Sequence, residues 1–161
     1  MNIRSLTLGA LAPLALFAIG CASGGTGNMA DSPNVQINVG LATANDMTVE
    51  TQDIMRRRAF PPFRTQDAPV PLVESEWRNQ TPFADEQAQG ITEMQCRIIV
   101  RGRQRAPTGG LQLYDVTFNF ETRAKTAGST EWTMLPVTPE RADLAKEIAA
   151  ELRIALELLR R

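Results

Sequence analysis

Residues 91–103 read ITEMQCRIIVRGR, and residues 111–120 read LQLYDVTFNF. In the first stretch Met94, Cys96, Ile98 and Val100 alternate with Glu93, Gln95, Arg97, Ile99 and Arg101. In the second, Tyr114, Val116, Phe118 and Phe120 share one parity. A period of two places successive side chains on opposite faces of an extended chain, so each stretch reads as a strand with one apolar face. The connecting Arg105–Gly110, RAPTGG, is a turn by composition, which predicts one long antiparallel hairpin. Leu111 and Leu113 fall out of phase with Tyr114, which predicts a bulge near Tyr114 or a locally covered outer face.

The hairpin needs partners for its apolar face. Upstream, Val35, Ile37, Val39 and Leu41 alternate with Gln36, Asn38 and Gly40, a further half-buried strand. Thr43 to Asp46 carries N-cap chemistry, and Met47, Ile54, Met55 and Arg58 recur at helical spacing. A helix is expected over 45–58, ending in Arg56, Arg57 and Arg58 and stopped by the prolines of Ala59-Phe60-Pro61-Pro62-Phe63. Val70 to Arg78 reads as a second strand, with Val73, Ser75 and Trp77 on one side and Glu74 and Glu76 on the other. Pro69 and Pro71 mark it as an edge. Residues 79–90 read as a polar loop. At the C-terminal end Thr138, Pro139 and Glu140 are start signals for a helix, whose stripe is Leu144, Ile148, Leu152, Ala155 and Leu159, widened by Ala145, Ala149 and Leu156 and closed by Arg160 and Arg161. The expected order is β-α-β-β-β-α. It implies a single α+β domain over 34–161, a two-layer sandwich with a four-stranded, mainly antiparallel sheet and both helices on one face, because an amphipathic helix can bury its stripe only against the apolar face of the sheet. The opposite face stays open and carries arginines.

Ahead of this domain, residues 6–19 read LTLGALAPLALFAI behind a single Arg4, apolar over the length of a signal h-region and interrupted by Gly9 and Pro13. Ala18, Ile19 and Gly20 then precede Cys21. This combination resembles the lipobox of bacterial lipoproteins. The resemblance implies a signal peptide over 1–20, palmitate-type acylation of Cys21 as the mature N-terminus, and attachment to a membrane of the cell envelope. Ala22 at the next position favours the periplasmic face of the outer membrane. An ordinary secretory signal, or an uncleaved anchor with Cys21 an incidental thiol, is the alternative. Residues 21–33 form a Gly/Ser-rich tether.

The composition narrows the chemistry. The chain of 161 residues has no histidine, which rules out imidazole-based triads, zinc sites and proton shuttles. Loss of Arg4, the one charged residue of 1–20, would take the formal net charge from -1 to -2, so no global field draws the domain to nucleic acid. With Cys21 acylated, Cys96 has no partner and reads as a buried hydrophobe. No Gly-rich phosphate loop joins a strand to a helix. Glu74 and Glu76 stand two apart on one strand face, as an acid/base pair requires, but no third group joins them. Neither a cofactor nor a metal is expected, and the chain reads as non-enzymatic.

Two surface signals remain. Arg97, Arg101 and Arg103 alternate along one strand face, with Arg105 in the turn. Such guanidinium forks can hold phosphates or carboxylates, with anionic lipid headgroups the available source. Alternatively they form a charged edge that resists strand pairing and is neutralised by Glu93 or Glu121. Phe60 and Phe63 read either as a docking loop or as core. In order of elements and lipobox, the chain resembles small envelope-biogenesis lipoproteins, the lipopolysaccharide-assembly family LptE and the helix-grip domains of outer-membrane assembly accessory lipoproteins. That resemblance implies a non-catalytic accessory role, docking to an envelope protein or handling a glycolipid. The two expectations are thus an interaction module in envelope assembly or transport, and an anionic lipid or glycolipid binder.

Overall fold

A computed structural model describes residues 32–107 and 110–159. The signal-like segment, Cys21 and most of the tether lie outside the described residues, as do Arg160 and Arg161. The elements are β1 (Asn34–Ala42), α1 (Ala44–Arg57), β2 (Pro62–Gln66), β3 (Leu72–Ser75), β4 (Arg78–Gln80), α2 (Ala84–Ala88), β5 (Ile91–Gln104), β6 (Tyr114–Thr126) and α3 (Pro139–Leu158). The class is α+β, as expected. The sheet has six strands rather than four, in the order β1-β6-β5-β3-β2 with β4 also on β5, and every pairing is antiparallel.

The β5–β6 hairpin is the spine of the sheet, in register from Glu93↔Lys125 to Gln104↔Tyr114, with a shift between Ile91 and Glu93. Met94, Cys96, Ile98 and Val100 lie beside Val116, Phe118 and Phe120 on the same face of the sheet, all at most 4% exposed. α1 and α3 close that same face with Met47, Ile54, Met55, Ala145, Ile148, Leu152 and Leu156. Thr43 caps α1, its Oγ1 accepting the Asp46 N–H at 3.1 Å. At the other end α1 stops before the prolines. Ala59 takes φ +55°, Ala59 N–H bonds Arg56 O, and Phe60 N–H bonds Met55 O at 2.7 Å, a left-handed cap that turns Phe60 into the core against Phe120. Pro62 then opens β2 instead of merely ending a helix, and Phe63 on that strand is exposed.

Several phases differ from the alternation in the sequence, each for a local reason. The β1–β6 register slips between Asn38 and Gly40, where Gly40 has φ +113°, so Ala42 rather than Leu41 enters the core. The expected strand 70–78 breaks after Ser75. Trp77 falls in the gap before β4 and lies with Glu74 on the open face, not beside Val73. β3 is internal, and the edge is β2, whose residues are all exposed. Leu111 and Leu113 precede the ladder, which starts at Tyr114, so no bulge is needed there. They line a groove with Ala42, Leu156 and Leu159 instead. On α3 the buried stripe is rotated toward the expected widening residues Ala145, Ala149 and Leu156: Arg141 joins it, Leu144 and Ala155 are only half-buried, and Leu159 is exposed. The last two residues of the expected tether are pinned, Val137 N–H donating to Ser32 O and Thr122 N–H to Pro33 O.

Candidate functional site

The face of the sheet away from the helices divides along β5. Toward Ile91, every cation has a partner. Arg97 is clasped between carboxylates, at 2.6 Å from Glu74 and 2.7 Å from Glu121. Lys125 pairs with Glu93 at 3.1 Å, and Arg123 Nε donates to Gln95 Oε1 at 2.7 Å. Two tryptophans are threaded through these cations. The Trp77 ring lies 4.6 Å from the Arg97 guanidinium and 4.3 Å from that of Arg123, and the Trp132 ring lies 5.2 Å from Arg123 and 4.6 Å from Lys125. Such contacts stabilise by about 0.5–2 kcal/mol each according to desolvation. Burial, and then the neighbouring Arg97 charge, lower the Arg123 guanidinium from its ordinary value. This half of the face is a self-neutralised ladder. Arg97 therefore leaves the set of expected anion binders, and its pairing with Glu121 follows the alternative reading. Glu74 is bound to that arginine, and Glu76 lies beyond the end of β3, so the two carboxylates do not form an isolated acid/base pair.

Toward the hairpin turn the face changes character. Arg101 stands opposite Thr117 on β6 and Leu72 on β3, both uncharged, and makes no ion pair among the described residues. Arg103 is 88% exposed and only 3.9 Å from Asp115, a carboxylate it shares with Arg105 at 3.5 Å. Gln36 on β1 and Asn119 on β6 complete the floor of an open groove of about 700 Å³, and Pro69 and Val70 form its wall. Gly102 sets that wall. Its N–H donates to Pro71 O at 2.9 Å, and a Cβ there would stand 2.7 Å from Pro71 Cγ, so only glycine lets the 67–71 loop close on β5. Ile99, buried between Arg97 and Arg101, separates the ladder from the groove.

On the core side the sequence concealed an ion pair. Arg141, 1% exposed, donates to Glu86 Oε1 at 2.8 Å and Oε2 at 2.6 Å, and to Thr81 O at 3.1 Å. Its guanidinium stacks 3.9 Å from the Phe83 ring. The pair fastens α2 to the first turn of α3 across 55 residues. Cys96 is fully buried; burial pushes its thiol up to about 12, partly opposed by the Arg141 charge, so it is an inert protonated side chain. Among the described residues no group of three His, Cys, Asp or Glu side chains is placed to hold a metal ion, and no helix is long and apolar enough to cross a membrane. No family model, curated protein or solved structure matches the chain.

Proposed function

We propose that this chain is a membrane-anchored lipoprotein, held through Cys21 at the periplasmic face of the outer membrane, whose domain serves as a non-catalytic interaction module in envelope assembly or transport. The observation that carries the reading is the asymmetry of the sheet. One face is sealed by α1 and α3, while the other keeps an open groove beside Arg101 and Arg103. A fold with one layer on a six-stranded sheet leaves that face for solvent or for a partner, and self-neutralisation of the ladder half leaves the groove half as the distinctive surface. The lipobox-like start supplies the attachment, since two or three acyl chains hold a protein where a single chain does not.

Crosslinking the protein in membranes and recovering it with its neighbours tests this. The expected result is a specific envelope protein captured by the parent chain and lost when Asn119→Arg fills the groove. Equal capture by both would remove the open face from the reading. A Cys21→Ser chain is expected to leave the membrane fraction, and if it stayed there the anchor would lie elsewhere.

A further inference from the structure

The sheet ends in β1 on one side and in β2 on the other, and the two edges are built differently. β2 carries Pro62 and Arg64 and is bulged between them, features that blunt an edge against further pairing. β1, NVQINVGLA, has neither a proline nor a charge. Thr122 N–H donates to Pro33 O, which makes Asn34↔Glu121 a non-hydrogen-bonded pair of the β1–β6 ladder and Val35↔Phe120 a bonded one. The alternation continues to Asn38↔Thr117, so the backbone groups of Asn34, Gln36 and Asn38 point away from β6 to the open edge. Two of them are satisfied within the chain. Asn34 N–H donates to Ser32 Oγ at 3.3 Å, and Asn38 O accepts from Arg153 Nη2 at 2.8 Å. Asn34 O, Gln36 N–H, Gln36 O and Asn38 N–H have no partner among the described residues.

We propose that β1 is a dimerisation edge, pairing antiparallel with β1 of a second copy of this chain about a two-fold axis at Gln36. The free groups are their own complement under that axis. Gln36 N–H and O exchange bonds with the same groups of the copy, and each Asn38 N–H donates to the copy's Asn34 O. Asn34 N–H and Asn38 O, which the chain satisfies itself, fall opposite each other and need nothing from the copy. Moving the axis along Asn34–Asn38 sets a satisfied group against a free one, so Ser32 and Arg153 fix the register. On the core side Ile37, half-buried in one chain, comes to lie across from Val35 of the copy. The axis is perpendicular to the sheet, which keeps both helix layers on one side and both open faces on the other. Gln36 borders the groove, so the two grooves meet along the joined edge. Backbone bonds over so short a stretch and one apolar pair on each side of the axis make a small interface, which corresponds to a micromolar dissociation constant. Nothing in this pairing depends on the acyl anchor.

Sedimentation equilibrium of the full chain in detergent, over a series of concentrations, tests the pairing. A reversible dimer is expected. Gln36→Lys sets like charges face to face at the axis and should weaken the dimer about fivefold. Gln36→Pro deletes an outward N–H that β6 does not use, and the loss of both central bonds should weaken it by about tenfold or more. Gln66→Lys on β2 should leave it unchanged. Circular dichroism at a dilution where the parent is monomeric checks that the variants fold. Gln36→Cys places opposed Cβ atoms about 5 Å apart and should be joined by a short bifunctional thiol reagent, where neither the parent nor Gln66→Cys is. A parent that stays monomeric throughout, a dimer indifferent to both Gln36 changes, or crosslinking of Gln66→Cys as readily as Gln36→Cys would each overturn the proposal. Hydrogen exchange adds one more outcome: the Gln36 and Asn38 amides should be slow in the dimer and fast in the monomer. A slow Asn38 amide in the monomer would give the edge to another strand, residues 22–31 of the same chain included, and would overturn the pairing as well.

Discussion

At the scale of single residues, the strongest commitment in the core is ionic. Arg141 and Glu86 are both at most 1% exposed, and each exists in the interior only because the other does. Removing one partner leaves a buried charge alone, a change that typically costs about 3–5 kcal/mol. Arg141→Ala should therefore lower the free energy of unfolding in urea by about that much. The double change Arg141→Met with Glu86→Leu should recover most of the loss, because it deletes both charges and keeps the volume. A loss below about 1 kcal/mol in the single variant would mean that water reaches the pair. Sequence could not reveal this bond. The position of Arg141 one turn before Ala145 and two before Ile148 does place it on the apolar stripe, but nothing local identifies Glu86, 55 residues upstream, as its counter-ion. Arg101 shows the opposite case. Its face and exposure were legible from the alternation in residues 91–103, whereas the absence of an acid beside it depends on which strands flank β5.

At the scale of elements, legibility follows burial. β5, β6, α1 and α3 each bury one face in the core, so their periodicities were written in the sequence and survive in the fold. β2 has no buried residue and β4 has three residues, so neither leaves an alternation to read. They exist because β3 and β5 offer them backbone hydrogen bonds. The strand expected over 70–78 was half right: Val73 and Ser75 are buried as the pattern required, but the break at Glu76 and Trp77 sends the tryptophan to the other face. The C-terminus of α1 is a defect of a different kind. Ala59 holds φ +55°, a left-handed conformation that costs an L-residue with a Cβ about 1–2 kcal/mol and costs glycine little. Ala59→Gly is accordingly expected to raise stability, by about 1 kcal/mol after the added entropy of the unfolded chain, visible as a higher urea midpoint at unchanged slope. A decrease would mean that the Ala59 methyl contributes packing that outweighs its backbone cost.

At the scale of the whole molecule, the ends are distinct. The described chain enters at Ser32, tied to Val137 and next to the start of α3; the hairpin turn lies at the far end of β1, about 27 Å away at ordinary strand rise, and the groove runs from Gln36, near that entry, toward the turn. If the domain is moored at Cys21, the stretch to Ser32 has a contour of about 40 Å at most. The groove can therefore be carried well clear of the lipid surface. Deleting Ser23–Asn28 removes about 20 Å of that reach. The deletion is expected to leave membrane fractionation unchanged while reducing crosslinked partner. Full capture by the shortened chain would place the partner at the bilayer surface itself.

The sealed thiol has a practical corollary. The polypeptide contains two cysteines, and Cys96 lies where neither solvent nor a maleimide dye can touch it while the domain stays folded. Any native molecule that takes up such a dye must have done so at Cys21, and a disulfide-linked dimer that forms while the domain stays folded must be joined there. If Cys21 is acylated as proposed, the coloured fraction of a preparation counts the molecules that escaped that modification.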